Sequence, residues 1–323
     1  MRRKAWKIVV FTKQVFLEFW EAGGLKFSAA LSYYTVFALA PVLVMIISIC
    51  GLLFGGKRDS IQDGIFAQVS QLAGADAAAQ VELLIRNVHH SGSGLFATIL
   101  SSILLLIAAT GIFGEIQDSI NKIWGLKSKP KKAILKILLN RVLSFSVIIS
   151  VGFVLVISLL INALVALLST YLQKEIPGSA AVFVLIMDQV LTFTITTFIF
   201  ALIFKILPDA QIGWKDVITG AVLTSILFML GKLGIGYYVG RSNLGNVYGA
   251  AASIIILMVW VYYSSIILYL GAAFTKVYAR HYGGKILPNR YAVWVAVHEV
   301  ELKKMVIATD PPEAEIILTP DKN

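Results

Sequence analysis

The chain has 323 residues, 58% of them hydrophobic, a mean hydropathy of +0.82 and a net charge of +10. That balance excludes a water-soluble domain, because most of the apolar surface must face lipid or neighbouring helices. Cys50 is the single cysteine, which excludes an intramolecular disulfide and a cysteine-based metal site.

Residues 4–22 predict an amphipathic helix. Trp6, Val9, Val10, Lys13, Phe16, Leu17 and Trp20 recur at helical spacing, and two tryptophans among lysines suit a helix in the membrane interface. The start, Met1-Arg2-Arg3-Lys4, is basic, but Lys13, Glu18 and Glu21 interrupt the next stretch and no small-residue cleavage site closes it. A cleaved signal peptide is therefore not expected.

Six apolar stretches come next: Ala29–Phe54, Leu95–Phe113, Val142–Leu168, Val182–Leu207, Val217–Val239 and Ala250–Lys276. A hydrocarbon core about 30 Å thick needs about 20 helical residues to cross it, so each predicts a span. The expected fold is all-α, a polytopic membrane protein with six transmembrane helices. Residues 1–27 form the amphipathic extension, 28–278 the spanning domain and 279–323 a polar tail. Pro311-Pro312 and Pro320 in that tail point to a disordered end.

Pro41 removes a backbone donor inside the first span and predicts a kink. Gly51 and Gly55 lie at GxxxG spacing, as do Gly236 and Gly240, and Gly245 and Gly249; such pairs allow close helix packing and permit a homodimer. Between the first two spans, residues 57–93 carry two helical stripes. One is Ile61, Ile65, Phe66, Val69 and Leu72, the other Val81, Leu84, Ile85 and Val88, with Gly74 between them. His89 and His90 at its exit read as solvated rather than as a metal site. Glu115 and Asp118 read as ordinary surface groups just beyond the second span.

The basic residues sort by side. With six spans, 22 fall on the side of the termini and 5 on the other, while Lys232 lies within a span. The positive-inside rule then places both termini in the cytoplasm. Orientation and contact with anionic lipid headgroups account for the basic clusters better than nucleic acid does.

Asp188 and Lys232 are the clearest ionisable residues within the spans, away from their ends. An intramembrane charge costs about 2.5–3.5 kcal/mol on insertion scales and is paired or faces a wet cavity. Asp188 falls about 9 Å below the outer end of the fourth span, and Lys232 about 10 Å below the same surface in the fifth. Asn162 of the third span lies at a similar level, and Thr192 and Thr196 continue the Asp188 face by steps of four. These five residues form a candidate polar site. The same residues also read as a structural ion pair, or with Lys232 snorkelling outward.

No Walker loop, HExxH or carboxylate–histidine set is present, so neither enzymatic activity nor a cofactor or metal is expected.

Several runs resemble one family. Ser28-Ala29-Ala30-Leu31-Ser32-Tyr33-Tyr34-Thr35-Val36-Phe37-Ala38-Leu39-Ala40-Pro41 is similar to the first-span motif of the YihY/BrkB membrane proteins. Ile120-Asn121-Lys122-Ile123-Trp124-Gly125 resembles the end of that family's second span. Leu207-Pro208-Asp209, Trp214-Lys215-Asp216 and Gly220-Ala221 resemble its fourth-to-fifth connection. Val247-Tyr248-Gly249-Ala250 and Trp260-Val261-Tyr262-Tyr263-Ser264-Ser265 resemble its last span. The chain departs at Gly271-Ala272-Ala273, where the family often has Gly-Ala-Glu, so no role of that carboxylate carries over.

The resemblance implies a six-helix bacterial inner-membrane protein. Members once bore the label ribonuclease BN, which this sequence does not support. Others are associated with serum resistance, lipopolysaccharide export or cation exchange. The expected function is transport or lipid translocation in envelope maintenance, with anionic lipids as partners. The alternatives are a scaffold recruiting envelope proteins and a cation or proton exchanger. Removal of residues 281–323 is expected to abolish a tail-based scaffold and spare a transporter.

Overall fold

The computed structural model describes residues 2–53, 66, 70, 78–79, 82, 111–129, 179–241, 252–282, 285–289 and 292–295. Outside the described residues lie Val142–Leu168 with Asn162, residues 95–110, Gly55, nearly all of the 57–93 connection with His89 and His90, and the end of the chain.

The described chain is mostly helical. In order, α1 is Arg2–Ala22, α2 Gly24–Leu53 and α3 residues 111–123, followed by strand β1, Leu126–Ser128. Then come α4, Ser179–Ile206; β2, Ala210–Gln211; α5, Trp214–Arg241; and α6, Ala252–Tyr282. The strands β3, Leu287–Pro288, and β4, Ala292–Trp294, close the described part. Val182–Ile206, Trp214–Ile235 and Ile254–Tyr282 are three described helices long and apolar enough to cross a membrane. At 1.5 Å per residue the 28 residues of α4 extend about 42 Å, more than a hydrocarbon core. Val182, Ile186, Val190 and Phe198 stand exposed along it, as apolar side chains do where lipid is the solvent.

The α1 helix ends at Gly23, whose φ of +88° is the left-handed cap that a glycine supplies without steric cost. Its amide donates to the Trp20 carbonyl at 3.0 Å, and α2 starts at the next residue. Phe11, Val15, Glu18 and Phe19 turn α1 toward the bundle. Phe11 meets the rings of Phe274 and His281 edge-on, and Glu18 pairs with Lys276 and Arg280 of α6. Val9, Phe16 and Trp20 remain exposed on another face of α1. Pro41 sits inside α2, which runs unbroken from Gly24 to Leu53.

α6 is the central post, packed against α1, α2 and α5, while α4 packs along α5. Reciprocal small-residue contacts bring α5 and α6 together. A Cβ on Gly220 would stand 1.9 Å from Thr275 Oγ1, and one on Gly271 1.9 Å from Thr224 Oγ1. Each threonine hydroxyl is held by the glycine carbonyl one turn earlier on its own helix. Thr224 donates to the Gly220 carbonyl at 2.7 Å, and Thr275 to the Gly271 carbonyl at 2.8 Å. Gly231 makes a third approach, against the Tyr263 ring. The glycines expected to do this in α5, Gly236 and Gly240, have no described surroundings, and Gly51 likewise.

Two short antiparallel ribbons add to the helical fold at the end that carries Lys26, Lys122, Lys205 and Lys276, called here the basic end. β1 pairs with β4, and β2 with β3. The chain after α6 thus returns as a strap over the loops that follow α3 and α4. Asn289 N–H donates to the Asp209 carbonyl and Val295 N–H to that of Gly125, each at 2.9 Å. The polarity of the sequence predicts a tail beginning near 280; residues 285–289 and 292–295 are instead part of the packed body. Among the described residues the hydrophobic core lies at this end too, around the fully buried Trp124, Phe204 and Tyr269.

Candidate functional site

Asp188 stands 18 residues before the end of α4 at Ile206, and Lys232 stands 18 residues after the start of α5 at Trp214. The helices run antiparallel and in contact, so the two side chains reach the same level, about 27 Å from the loop that joins them. Asp188 acts electrostatically on the half-buried Lys232 and accepts a hydrogen bond from Gln189 Nε2 at 3.4 Å. The carboxylate and the ammonium thus share one neighbourhood.

The hydroxyls extend this polar face toward the basic end. Thr196 is 5% exposed and donates to the Thr192 carbonyl at 2.8 Å. Thr192 is 2% exposed and its Oγ1 has no hydrogen-bond partner. On α5, Ser225 precedes Lys232 by seven residues, two helical turns on the same face. It is fully buried and its Oγ also has no partner. Sequence reading missed Ser225; its spacing of seven residues puts it on the Lys232 face, but nothing local marks its hydroxyl as unpartnered. Asn162, the fifth residue of the expected cluster, lies outside the described residues. A buried hydroxyl without a partner costs about 1–3 kcal/mol, and lipid offers no relief.

A second polar constellation lies at the basic end. Asp209 follows α4 and is 8% exposed. Its carboxylate accepts from Gln117 Nε2 and Asn121 Nδ2, each at 3.1 Å, and from Ser128 Oγ. Its amide donates to Asn121 Oδ1 at 2.9 Å. Beside it, Trp124 donates Nε1–H to the Ala272 carbonyl at 2.9 Å. Asp209 was not expected to form a site, yet the runs Ile120–Gly125 and Leu207–Asp209 are those that carry the family resemblance, and here they bind each other.

Glu115 of α3 accepts from Ser119 Oγ at 3.2 Å. Burial pushes its carboxyl above the usual range and the charge of Asp118 adds to this; the Ser119 hydrogen bond and Lys26 pull the other way. Tyr269 also faces this carboxylate, near Ser119, though its hydroxyl makes no hydrogen bond of good geometry. A carboxyl raised by folding favours the neutral form in the native state. Its contribution is present below the unfolded value and lost as pH rises through the folded one. Glu115→Gln is therefore expected to gain stability relative to wild type as pH rises from 4 toward 7. Thermal unfolding of both proteins across that range checks it, and a constant difference would contradict the burial.

Among the described residues no group of three or more His, Cys, Asp or Glu gathers to hold a metal ion.

The chain matches the family Virulence factor BrkB over residues 15–292. It is 29% identical over 290 residues to a UPF0761 membrane protein of Teredinibacter turnerae, covering 85% of this chain and 61% of that one. It is 28% identical over 300 residues to a UPF0761 membrane protein of Saccharophagus degradans, covering 90% and 64%. A UPF0761 membrane protein of Tolumonas auensis is 26% identical over 253 residues, covering 76% and 77%. The chain thus spans a little over three-fifths of the first two relatives' length. No solved structure matches. A family match that takes in α2 to β3, on apolar helices of spanning length, makes the chain a member of the YihY/BrkB family of membrane proteins.

Proposed function

We propose that this protein is a transporter or lipid translocator of the bacterial inner membrane, serving envelope maintenance. The observation that supports it is the polar ladder between α4 and α5. Asp188, Lys232, Thr192, Thr196 and Ser225 stand on two helices of spanning length, and two of the buried hydroxyls have no protein partner. A passing headgroup, ion or water would satisfy them. Lys232 would meet an anionic headgroup, and Asp188 would take up a proton or cation. Neither enzymatic chemistry nor a cofactor is needed for this.

Both termini would face the cytoplasm, because the basic end carries the excess of lysine and arginine. The exposed Val9, Phe16 and Trp20 of α1 would then rest in the inner interface.

The test is lipid scrambling by the purified protein in proteoliposomes of anionic lipid. Wild type is expected to move lipid, and Lys232→Met and Asp188→Asn each to slow it about tenfold or more, the scale of a lost charge-assisted contact. No movement by well-folded wild type would defeat lipid translocation and favour ion exchange. A scaffold acting through its tail is tested by cutting after Val295. A cut at 281 would also remove the strap and so could not separate the two readings.

A further inference from the structure

At the basic end, Trp124 just after α3, the end of α6 and the returning strap line an open cavity of about 280 Å³. Lys276 and Arg280 come from α6, one turn apart, and Lys285 from the strap. Trp124, Ile286 and Trp294 supply apolar surface, the first two buried and Trp294 exposed at the mouth. None of these groups belongs to the polar ladder, which lies near the other end of α4 and α5.

We propose that this cavity binds a phosphate-bearing anion with an apolar or glycerol portion, of the kind an anionic phospholipid headgroup presents. Three cations converge on it, and Glu18, which bridges Lys276 and Arg280 from α1, offsets one, leaving two net positive charges. Glu18 also fixes Lys276, whose side chain is 15% exposed. The Arg280 side chain is 69% exposed, so its planar donors are free to grip a second anion. The volume falls just below that of small-molecule sites, which run about 300–1,000 Å³, and suits a headgroup rather than a larger ligand. A tryptophan at the mouth and cations on the rim are the side chains that sit where lipid headgroups begin. The site stands on this geometry alone and does not depend on translocation.

The test is calorimetric titration of the full-length protein in phosphatidylcholine nanodiscs, with short-chain phosphatidylglycerol in one arm and inorganic phosphate in the other. Saturable binding of phosphatidylglycerol is expected, weakened about tenfold or more in Arg280→Gln/Lys285→Gln, where two charge-assisted contacts are lost. Arg280→Lys/Lys285→Arg is expected to retain most of it. Lys215→Gln removes a basic-end charge outside the cavity and is expected to bind as wild type. Both substituted positions are exposed, so unfolding temperature should hold. Binding of inorganic phosphate as well, lost in the same double variant, would show that the free anion suffices. Binding of the lipid alone would assign the site to a headgroup. No saturable binding in either arm, an unaffected Gln double variant, or an equal loss in Lys215→Gln would overturn the proposal.

Discussion

Asp209→Ala is expected to cost about 3 kcal/mol or more, because each buried donor left without its acceptor costs about 1–3 kcal/mol. Gln117 Nε2, Asn121 Nδ2 and Ser128 Oγ all donate to this carboxylate, and all three would lose it at once. These bonds join α3 and the β1 loop to the end of α4, between residues 81 to 92 positions apart in sequence. Asn289 N–H adds the strap through the Asp209 carbonyl. Asp209→Asn keeps the shape and one acceptor oxygen, so its loss is expected to be smaller. Thermal unfolding in detergent measures both. An alanine variant that melts with wild type would mean that water or a rearranged loop takes over the donors, and the network would then be incidental. The order matters as well. If asparagine proved as damaging as alanine, the negative charge rather than the number of acceptors would be the stabilising feature.

Much of the spanning architecture was legible because hydropathy and helix length are local properties. The fourth, fifth and sixth apolar stretches became α4, α5 and α6 within a few residues at each end. The levels of Asp188 and Lys232 on their helices were also legible, since depth along two antiparallel helices follows from counting. Ser225 was harder: serine is common in membrane helices, and nothing local marks one whose hydroxyl finds no partner. Asp209 lay in a loop, where an aspartate reads as a turn residue; what makes it a hub is Gln117, Asn121 and Ser128, which stand far away in sequence. The strap was illegible for the same reason. Leu287–Pro288 and Ala292–Trp294 are two and three residues long, too short for an alternating pattern, and their pairing partners are loops.

Glycine pairs alone pointed to part of the helix packing. Gly236 and Gly240 have no described surroundings, and among the described residues α5 and α6 approach through Gly-xxx-Thr on each helix: Gly220 with Thr224, and Gly271 with Thr275. The motif is small-xxx-small rather than glycine twice, and its sense appears only when the two helices are laid antiparallel. Each threonine fills the space its opposing glycine leaves, and each hydroxyl is held by a carbonyl on its own helix, so neither can easily turn away.

Gly271→Ala should therefore destabilise more than its single methyl suggests. The new Cβ would lie 1.9 Å from Thr224 Oγ1 and 3.0 Å from Thr224 Cβ and Cγ2. Overpacking of this kind costs about 1–3 kcal/mol where the neighbour is fixed. The gain in helix propensity on replacing glycine, about 1 kcal/mol, works against this and is the smaller effect if the threonine cannot move. Thr224→Ala in the same chain removes Oγ1 and Cγ2 and leaves a 3.0 Å approach to Cβ, which a small shift relieves. The double variant is expected to recover most of the loss, so that the two substitutions are strongly non-additive. A larger side chain, as in Gly271→Leu, has no such remedy and is expected to separate α5 from α6. Because Lys232 rides on α5, that separation would also displace it from Asp188 on α4. Unfolding temperature for the single and double variants, with scrambling measured alongside, separates the two effects. Additive losses in the cycle would show that α5 and α6 are not locked here, and that the close approach at Gly271 relaxes freely in the membrane.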